Sequence, residues 1–195
     1  MSNILATPSR DAVRVGAALA LLISGAVVSA PTAEAASSGR VCMVNAPRGA
    51  YGAGHAAFMI KDRAGTNHWL YGSFGSQNDA PMAGWIRGGT WEQARSHFKK
   101  VRDRDHLNRQ YYKQYRCVNT ADADLRAAQS WYSTVKNRGY NVHTNNCLHA
   151  TIAAFKGYSG KLRHDKRLPS ATNKPPNDYF AKVLTSAGWE RKHDL

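Results

Sequence analysis

The residues most able to do chemistry are Cys147 and the two asparagines before it, Asn145 and Asn146, followed by Leu148 and His149. Asparagine is a helix-capping residue, and Leu148, Ile152 and Phe155 fall at the i, i+4, i+7 spacing of one helical face, so Cys147 is expected in the first turn of a helix. Backbone N–H groups there lack helical partners, and the helix dipole presents its positive end. Both favour the thiolate, the nucleophilic form of cysteine. On this reading Cys147 alkylates well below the ordinary cysteine range. The competing reading is a structural cysteine packed beside Leu148 and Ile152.

A thiol nucleophile needs a base, and the base needs a polar neighbour to fix its tautomer. His55 is the leading base, because it opens the apolar run His55–Lys61 directly after a glycine-rich loop. His68 lies thirteen residues further on, across an expected hairpin, where it could orient His55; Asn67 and Tyr71 are polar alternatives for that role. An oxyanion would be met first by the backbone N–H of Cys147, with Asn146 and Asn145 as further donors or supporting residues. His149, two residues past the cysteine, is expected to point elsewhere on the helix as a core or supporting residue. His143 with Cys147 and His149 matches no zinc spacing, so neither a metal nor a cofactor is expected.

Positioning these side chains requires a mixed set of elements. Val41 to Val44 reads as a short first strand, Pro47–Gly54 as a turn-rich loop, and His55–Lys61 with Asn67–Phe74 as two strands of a hairpin around Asp62–Gly65. Gly75–Gly89 reads as one glycine-rich loop. Thr90 and Gln93 suit a capping box that opens a helix to about Val101. Tyr111–Val118 is another strand, and a helix capped by Asn119 or Thr120 carries Leu125, Ala128 and Val135 toward Gly139. Tyr140–Thr144 is a short extended link to Cys147, Lys156–Lys174 a polar basic loop, and Pro176 the start of a last short helix. The sum is an α+β domain.

The three cysteines, Cys42, Cys117 and Cys147, cannot all pair within one chain. Cys42 and Cys117 lie in β-prone segments and Cys147 at a helix start, so a Cys42–Cys117 disulfide that spares Cys147 is expected, three free thiols being the alternative. Making Cys42 the nucleophile would need a helix start where Val41, Met43 and Val44 favour a strand.

Residues 1–35 read as a signal peptide: Arg10 and Arg14, an apolar stretch from Val15 to Ala30, and Ala33-Glu34-Ala35 as a cleavage site. Residues 36–195 are then one secreted domain, large enough to bury its own core. The chain carries 27 basic and 13 acidic residues, a formal charge of +14, and the leader removes as many acids as bases, so the excess belongs to the exported part. Clusters such as Lys99-Lys100 and Lys161–Arg167 fit attraction to an anionic cell-wall polymer or lipid surface, without specific nucleic-acid recognition.

Gly54-His55-Ala56-Ala57-Phe58, Trp69-Leu70-Tyr71-Gly72-Ser73-Phe74, Asn145-Asn146-Cys147 and Pro176-Asn177-Asp178-Tyr179-Phe180 together resemble the circularly permuted NlpC/P60 group of papain-like proteins. There the histidine strand precedes the cysteine helix. The two-histidine hairpin and Asn146-Cys147-x-His149 are similar to its lecithin:retinol acyltransferase-like branch. The resemblance implies a papain-like domain with an antiparallel sheet packed against helices. It further implies Cys147 as nucleophile, His55 as base and His68 as orienting residue, the His55–His68 spacing being one residue longer than that branch shows. The expected activity is hydrolysis or transfer of an acyl group through a thioester, first on a cell-wall amide bond. Lipid acyl chemistry, an antagonistic toxin with an immunity or inhibitor protein, and a non-catalytic basic binding module are the alternatives. The expected state is a monomer.

Overall fold

The computed structural model describes residues 39–75, 84–103 and 108–195; the expected signal peptide lies outside the described residues. Six strands, β1 (Gly39–Ala46), β2 (His55–Lys61), β3 (Trp69–Ser73), β4 (Trp85–Gly89), β5 (Gln114–Thr120) and β6 (His193–Asp194), form one sheet in the order β4-β3-β2-β1-β5-β6. Every pairing is antiparallel. Helices α1 (Trp91–Lys100), α2 (Leu125–Asn137), α3 (Cys147–Tyr158) and a short α4 (Gly160–Arg163) pack around it. A C-terminal helical stretch follows, made of Pro176–Asp178, a π-helical segment Tyr179–Val183 and Leu184–Ser186. The expected α+β architecture, an antiparallel sheet against helices, is the one observed.

The central strands are apolar on both sides because both faces of the sheet are covered. Val41, Met43, Phe58, Ile60 and Leu70 meet α2 and α3 through Ala128, Tyr132, Leu148, Ile152 and Phe155. Cys42, Val44, Ala57, Met59 and Tyr71 meet α1 through Ala94 and Phe98, together with Tyr111 and Tyr112. The period-2 alternation of strand side chains sorts neighbouring residues into these two cores. Cys42 and Cys117 sit directly opposite each other on β1 and β5 and form the disulfide, leaving Cys147 as the free thiol.

Thr90 caps α1 with Gln93 in the capping box read from the sequence. Several boundaries differ. Residues 85–89 of the expected loop are an edge strand: Arg87, Gly88 and Gly89 give almost no strand signal, and the order comes from pairing Trp85 with Ser73 and Ile86 with Gly72. β5 begins at Gln114 because Tyr111 and Tyr112 turn into the α1-side core, and Asn119 and Thr120 belong to that strand, so Asp124 caps α2. The expected polar loop from Lys156 is helical at its start, since Tyr158 and Leu162 are buried. The expected extended link at Tyr140–Thr144 is a turn closed by a backbone bridge between Asn141 and Asn145.

Candidate active site

Asn146 caps α3 as read from the sequence. Its Oδ1 accepts hydrogen bonds from the N–H groups of Leu148 and His149. The helix therefore starts at Cys147, whose side chain is almost fully buried, 2% exposed. Its Sγ accepts a hydrogen bond from the N–H of Ala56 at 3.4 Å, the amide that directly follows His55. β2 and α3, ninety-one residues apart in the chain, thus meet with the thiol on the His55–Ala56 peptide.

His55 is 2% exposed. Its Nε2 is hydrogen-bonded to Ser73 Oγ at 2.7 Å, and Tyr112 Oη donates to the same oxygen at 2.8 Å. Tyr132 Oη, from α2, donates to the Ser73 carbonyl at 2.8 Å and pins the end of β3. The rings of Tyr111 and Tyr112 stand 5.8 and 6.0 Å from the imidazole. A serine oxygen has two lone pairs, so Ser73 can accept from both Tyr112 and the Nε2–H of His55. That arrangement leaves His55 Nδ1 bare, the form a base requires.

The loop before His55 is held from the C-terminal side. Asn177 Nδ2 donates to the carbonyls of Pro47 and Gly52, Asn45 Nδ2 donates to Asn177 Oδ1, and the Asn177 N–H bonds the Ala53 carbonyl. Gly54 has φ +94°, and a Cβ there would lie 2.5 Å from Asn177 Oδ1, so glycine is required on both counts.

Electrostatics corrects one expectation. The N–H groups of Ala56, Leu148 and Cys147 do stabilise the thiolate, but burial outweighs them and pushes the Cys147 thiol up to about 11. Burial also takes His55 from 6.5 down to about 4. No carboxylate partners either residue among the described hydrogen bonds and ion pairs, so no charge offsets the desolvation. At neutral pH the pair rests as thiol and neutral imidazole rather than thiolate and imidazolium.

His68 is not brought to His55, which corrects its expected orienting role. The two lie at opposite ends of the β2–β3 hairpin: His68 is past the Lys61–Trp69 pair, its side chain 52% exposed and 3.6 Å from Asp62. Six residues of strand separate the ends, roughly 20 Å. The alternatives are elsewhere too. Asn67 accepts from the Trp91 N–H and donates to Glu92, while the Tyr71 ring packs among Trp85, His97 and Phe98. Asn145 donates to the carbonyls of Val135 and Gly139, tying α2 to α3, and has no place at the thiol. Asn146 Nδ2 donates to the Val142 carbonyl at 2.7 Å, which commits one of its two hydrogens. His149 Nδ1 lies 2.9 Å from Asn146 Oδ1. Ser73 and Tyr112 are the residues that sequence reasoning missed. Ser73 lay inside a motif singled out from the sequence, and a small polar residue closing a strand of the histidine's own hairpin was the available signal.

A cavity of about 370 Å³ reaches Cys147 between the Ala50–Gly54 loop, Val142, His149 and Pro175. Among the described residues no cluster of three or more His, Cys, Asp or Glu side chains could hold a metal ion, and no helix is long and apolar enough to cross a membrane. Compared with known protein families, curated proteins and solved structures, the chain has no match.

Proposed function

We propose that this chain is an exported papain-like cysteine hydrolase or acyltransferase of the permuted NlpC/P60 type, acting on a cell-wall amide bond. One observation carries the reading: a helix-capped cysteine at a cavity wall, its sulfur bonded to the amide next to a buried histidine whose Nε2 is held by Ser73. In the proposed reaction Sγ attacks the amide carbon as its proton passes to His55. The oxyanion faces the Cys147 N–H, and the leaving amine takes the proton from His55 as the C–N bond breaks. Water then repeats the sequence on the thioester and returns the free thiol. Because the resting pair is neutral, the proton moves during attack rather than before it. Export is supported by the signal-like leader and the disulfide, and the charge of +14 suits an anionic envelope.

The test is amine release from purified cell walls, with the acyl-enzyme trapped by acid quench and weighed by mass spectrometry. Wild type should release amine and carry the adduct on Cys147, and Cys147→Ala should do neither. A wild type that gives no amine and no adduct overturns the reading. The missing carboxylate and neutral pair favour a second reading, a non-catalytic basic wall-binding module. Salt-sensitive wall binding shared equally by wild type and Cys147→Ala, without turnover, would establish it.

A further inference from the structure

Part of the basic excess is gathered in a recess on the C-terminal side of the molecule. A groove of about 760 Å³ separates the Lys166–Pro169 segment from the C-terminal helical stretch, and Lys166, Arg167, Lys174 and Lys182 line it together with Val183 and Ser186. Its lining holds no acidic and no aromatic side chain. Arg167 pairs with Asp165 at 2.8 Å and Lys182 with Asp178 at 2.9 Å, in exposed or partly exposed contacts, but neither carboxylate lines the groove. Lys174 has no carboxylate partner among the described ion pairs. Four cations against two flanking carboxylates leave the groove positive.

Both walls are held in place from beneath. Leu168 is buried, the Trp189 Nε1–H donates to the Arg167 carbonyl at 2.6 Å, and Tyr179 Oη donates to the Pro169 carbonyl at 2.6 Å. On the facing wall Lys182, Val183, Ser186 and Ala187 share one helical face through their i, i+1, i+4, i+5 spacing. The turn that leads into this face is π-helical, with the Leu184 N–H bonded to the Tyr179 carbonyl. Such turns are rare and frequently sit at functional sites.

We infer that this groove binds a linear phosphodiester polymer without bases, a polyol phosphate. Each repeat of such a chain carries one permanent negative charge, so cations on both walls meet it along its length. The lining selects against other polyanions. Single-stranded nucleic acid is held by bases stacked on aromatic rings, and no ring lines this groove. A lipid surface rewards apolar side chains that project into it, whereas the exposed large hydrophobics Tyr51, Trp131 and Val142 all lie outside the lining. Ser186, Ala187 and Gly188 keep one wall low enough for a thin chain to enter. Lys174 also lines the Cys147 cavity, so the bound polymer lies beside the proposed reaction site and holds the protein on the envelope there. This binding uses no chemistry at Cys147 and goes beyond the acyl-transfer reading.

The test titrates the full exported chain with short poly(glycerol phosphate) by calorimetry and compares two double variants that remove the same charge. Lys166→Gln/Lys182→Gln takes one exposed cation from each wall, whereas Lys99→Gln/Lys100→Gln takes two from the end of α1, on the other face of the sheet. The groove variant should bind about tenfold more weakly than wild type, and the α1 variant should match wild type. Raised salt should weaken binding of the wild type. Equal weakening in both variants would assign the binding to the whole molecule's charge and overturn the inference. Oligothymidylate or polyglutamate of equal charge bound as tightly as the polyol phosphate would overturn it too, as would phosphatidylglycerol vesicles bound through Lys166 and Lys182 with no polymer bound. The two readings fail separately: amine release from cell walls without polymer binding overturns this inference alone, and polymer binding without amine release overturns the catalytic reading alone.

Discussion

The two ends of the β2–β3 hairpin carry the same residue type and treat it in opposite ways. At one end His55 is buried against Tyr111 and Tyr112 and bonded to Ser73, beneath a loop held by Asn177. At the other, His68 stands in solvent beside Asp62. Sequence spacing cannot tell the two apart, since each histidine flanks a strand. What distinguishes them is how many elements converge. β1, β2, β3, α2, α3 and the C-terminal stretch all reach the His55 end, whereas His68 itself lies among its own turn, Gly88 of the edge strand β4 and the start of α1. Convergence excludes water, and excluded water makes a hydrogen bond, or its loss, count.

The largest test of this contrast is pH. Folding lowers the His55 pKa from 6.5 to about 4, so the unfolded chain binds a proton that the folded chain refuses. His55 therefore contributes stability that is present above pH 6.5 and is lost as pH falls toward 4, amounting to about 3 kcal/mol. Denaturant unfolding between pH 7 and 4 should show a steep loss in wild type and a much shallower one in His55→Gln. The thiol mirrors this on the alkaline side: Cys147, raised from 9.0 to about 11, stabilises fully below pH 9 and loses that contribution as pH rises through 11. Alkylation of folded Cys147 by iodoacetamide should accordingly rise only above pH 9. Alkylation at pH 6 would show that the thiolate is held by something other than the three amides.

Next in size is Ser73→Ala. It leaves His55 Nε2 and Tyr112 Oη buried without their shared partner, a loss of about 2 kcal/mol on chemical denaturation. kcat should fall by about tenfold to a hundredfold with KM unchanged, less than the roughly 10²–10⁴ expected for losing the base itself. Tyr112→Phe keeps the His55–Ser73 bond and should cost about 1 kcal/mol with little kinetic effect. If Tyr112→Phe matched Ser73→Ala in kcat, Tyr112 and not Ser73 would set the imidazole.

Local signals were legible where a single element decides them. The α3 cap, the Thr90 capping box, the β2 boundaries and the Cys42–Cys117 pair all follow from neighbours in sequence or from counting cysteines. Of the candidate residues named from the sequence, the structure brings Cys147 against the His55–Ala56 peptide. The hydrogen-bond partner of His55 was not legible, because it depends on hairpin register: with Ala57 opposite Ser73 and Lys61 opposite Trp69, a histidine beyond the turn cannot reach the strand start. The protonation state was missed for a related reason. A helix start promises a low thiol pKa only if water or a charge stabilises the anion, and burial comes from α2, β2 and the C-terminal stretch together, which no local pattern records. β4 escaped notice because an edge strand with two glycines owes its order to its partner.

The smallest effect is expected at the exposed end, where it is most informative. His68→Ala removes an imidazole whose side chain is half in solvent and whose contact with Asp62, at 3.6 Å, is an exposed pair. Such pairs contribute little, and the substitution should change stability by less than about 0.5 kcal/mol. kcat and KM should match wild type. Asn67→Ala, one residue away, is the control for the region: its Oδ1 caps the Trp91 N–H and its Nδ2 reaches Glu92, so it should cost about 1 kcal/mol through the start of α1 and still leave turnover intact. A His68→Ala variant as stable as wild type but tenfold slower would break the comparison. It would mean that the exposed end of β3 reaches Ser73 along the strand, and that His68 acts as a positioning residue from roughly 20 Å away.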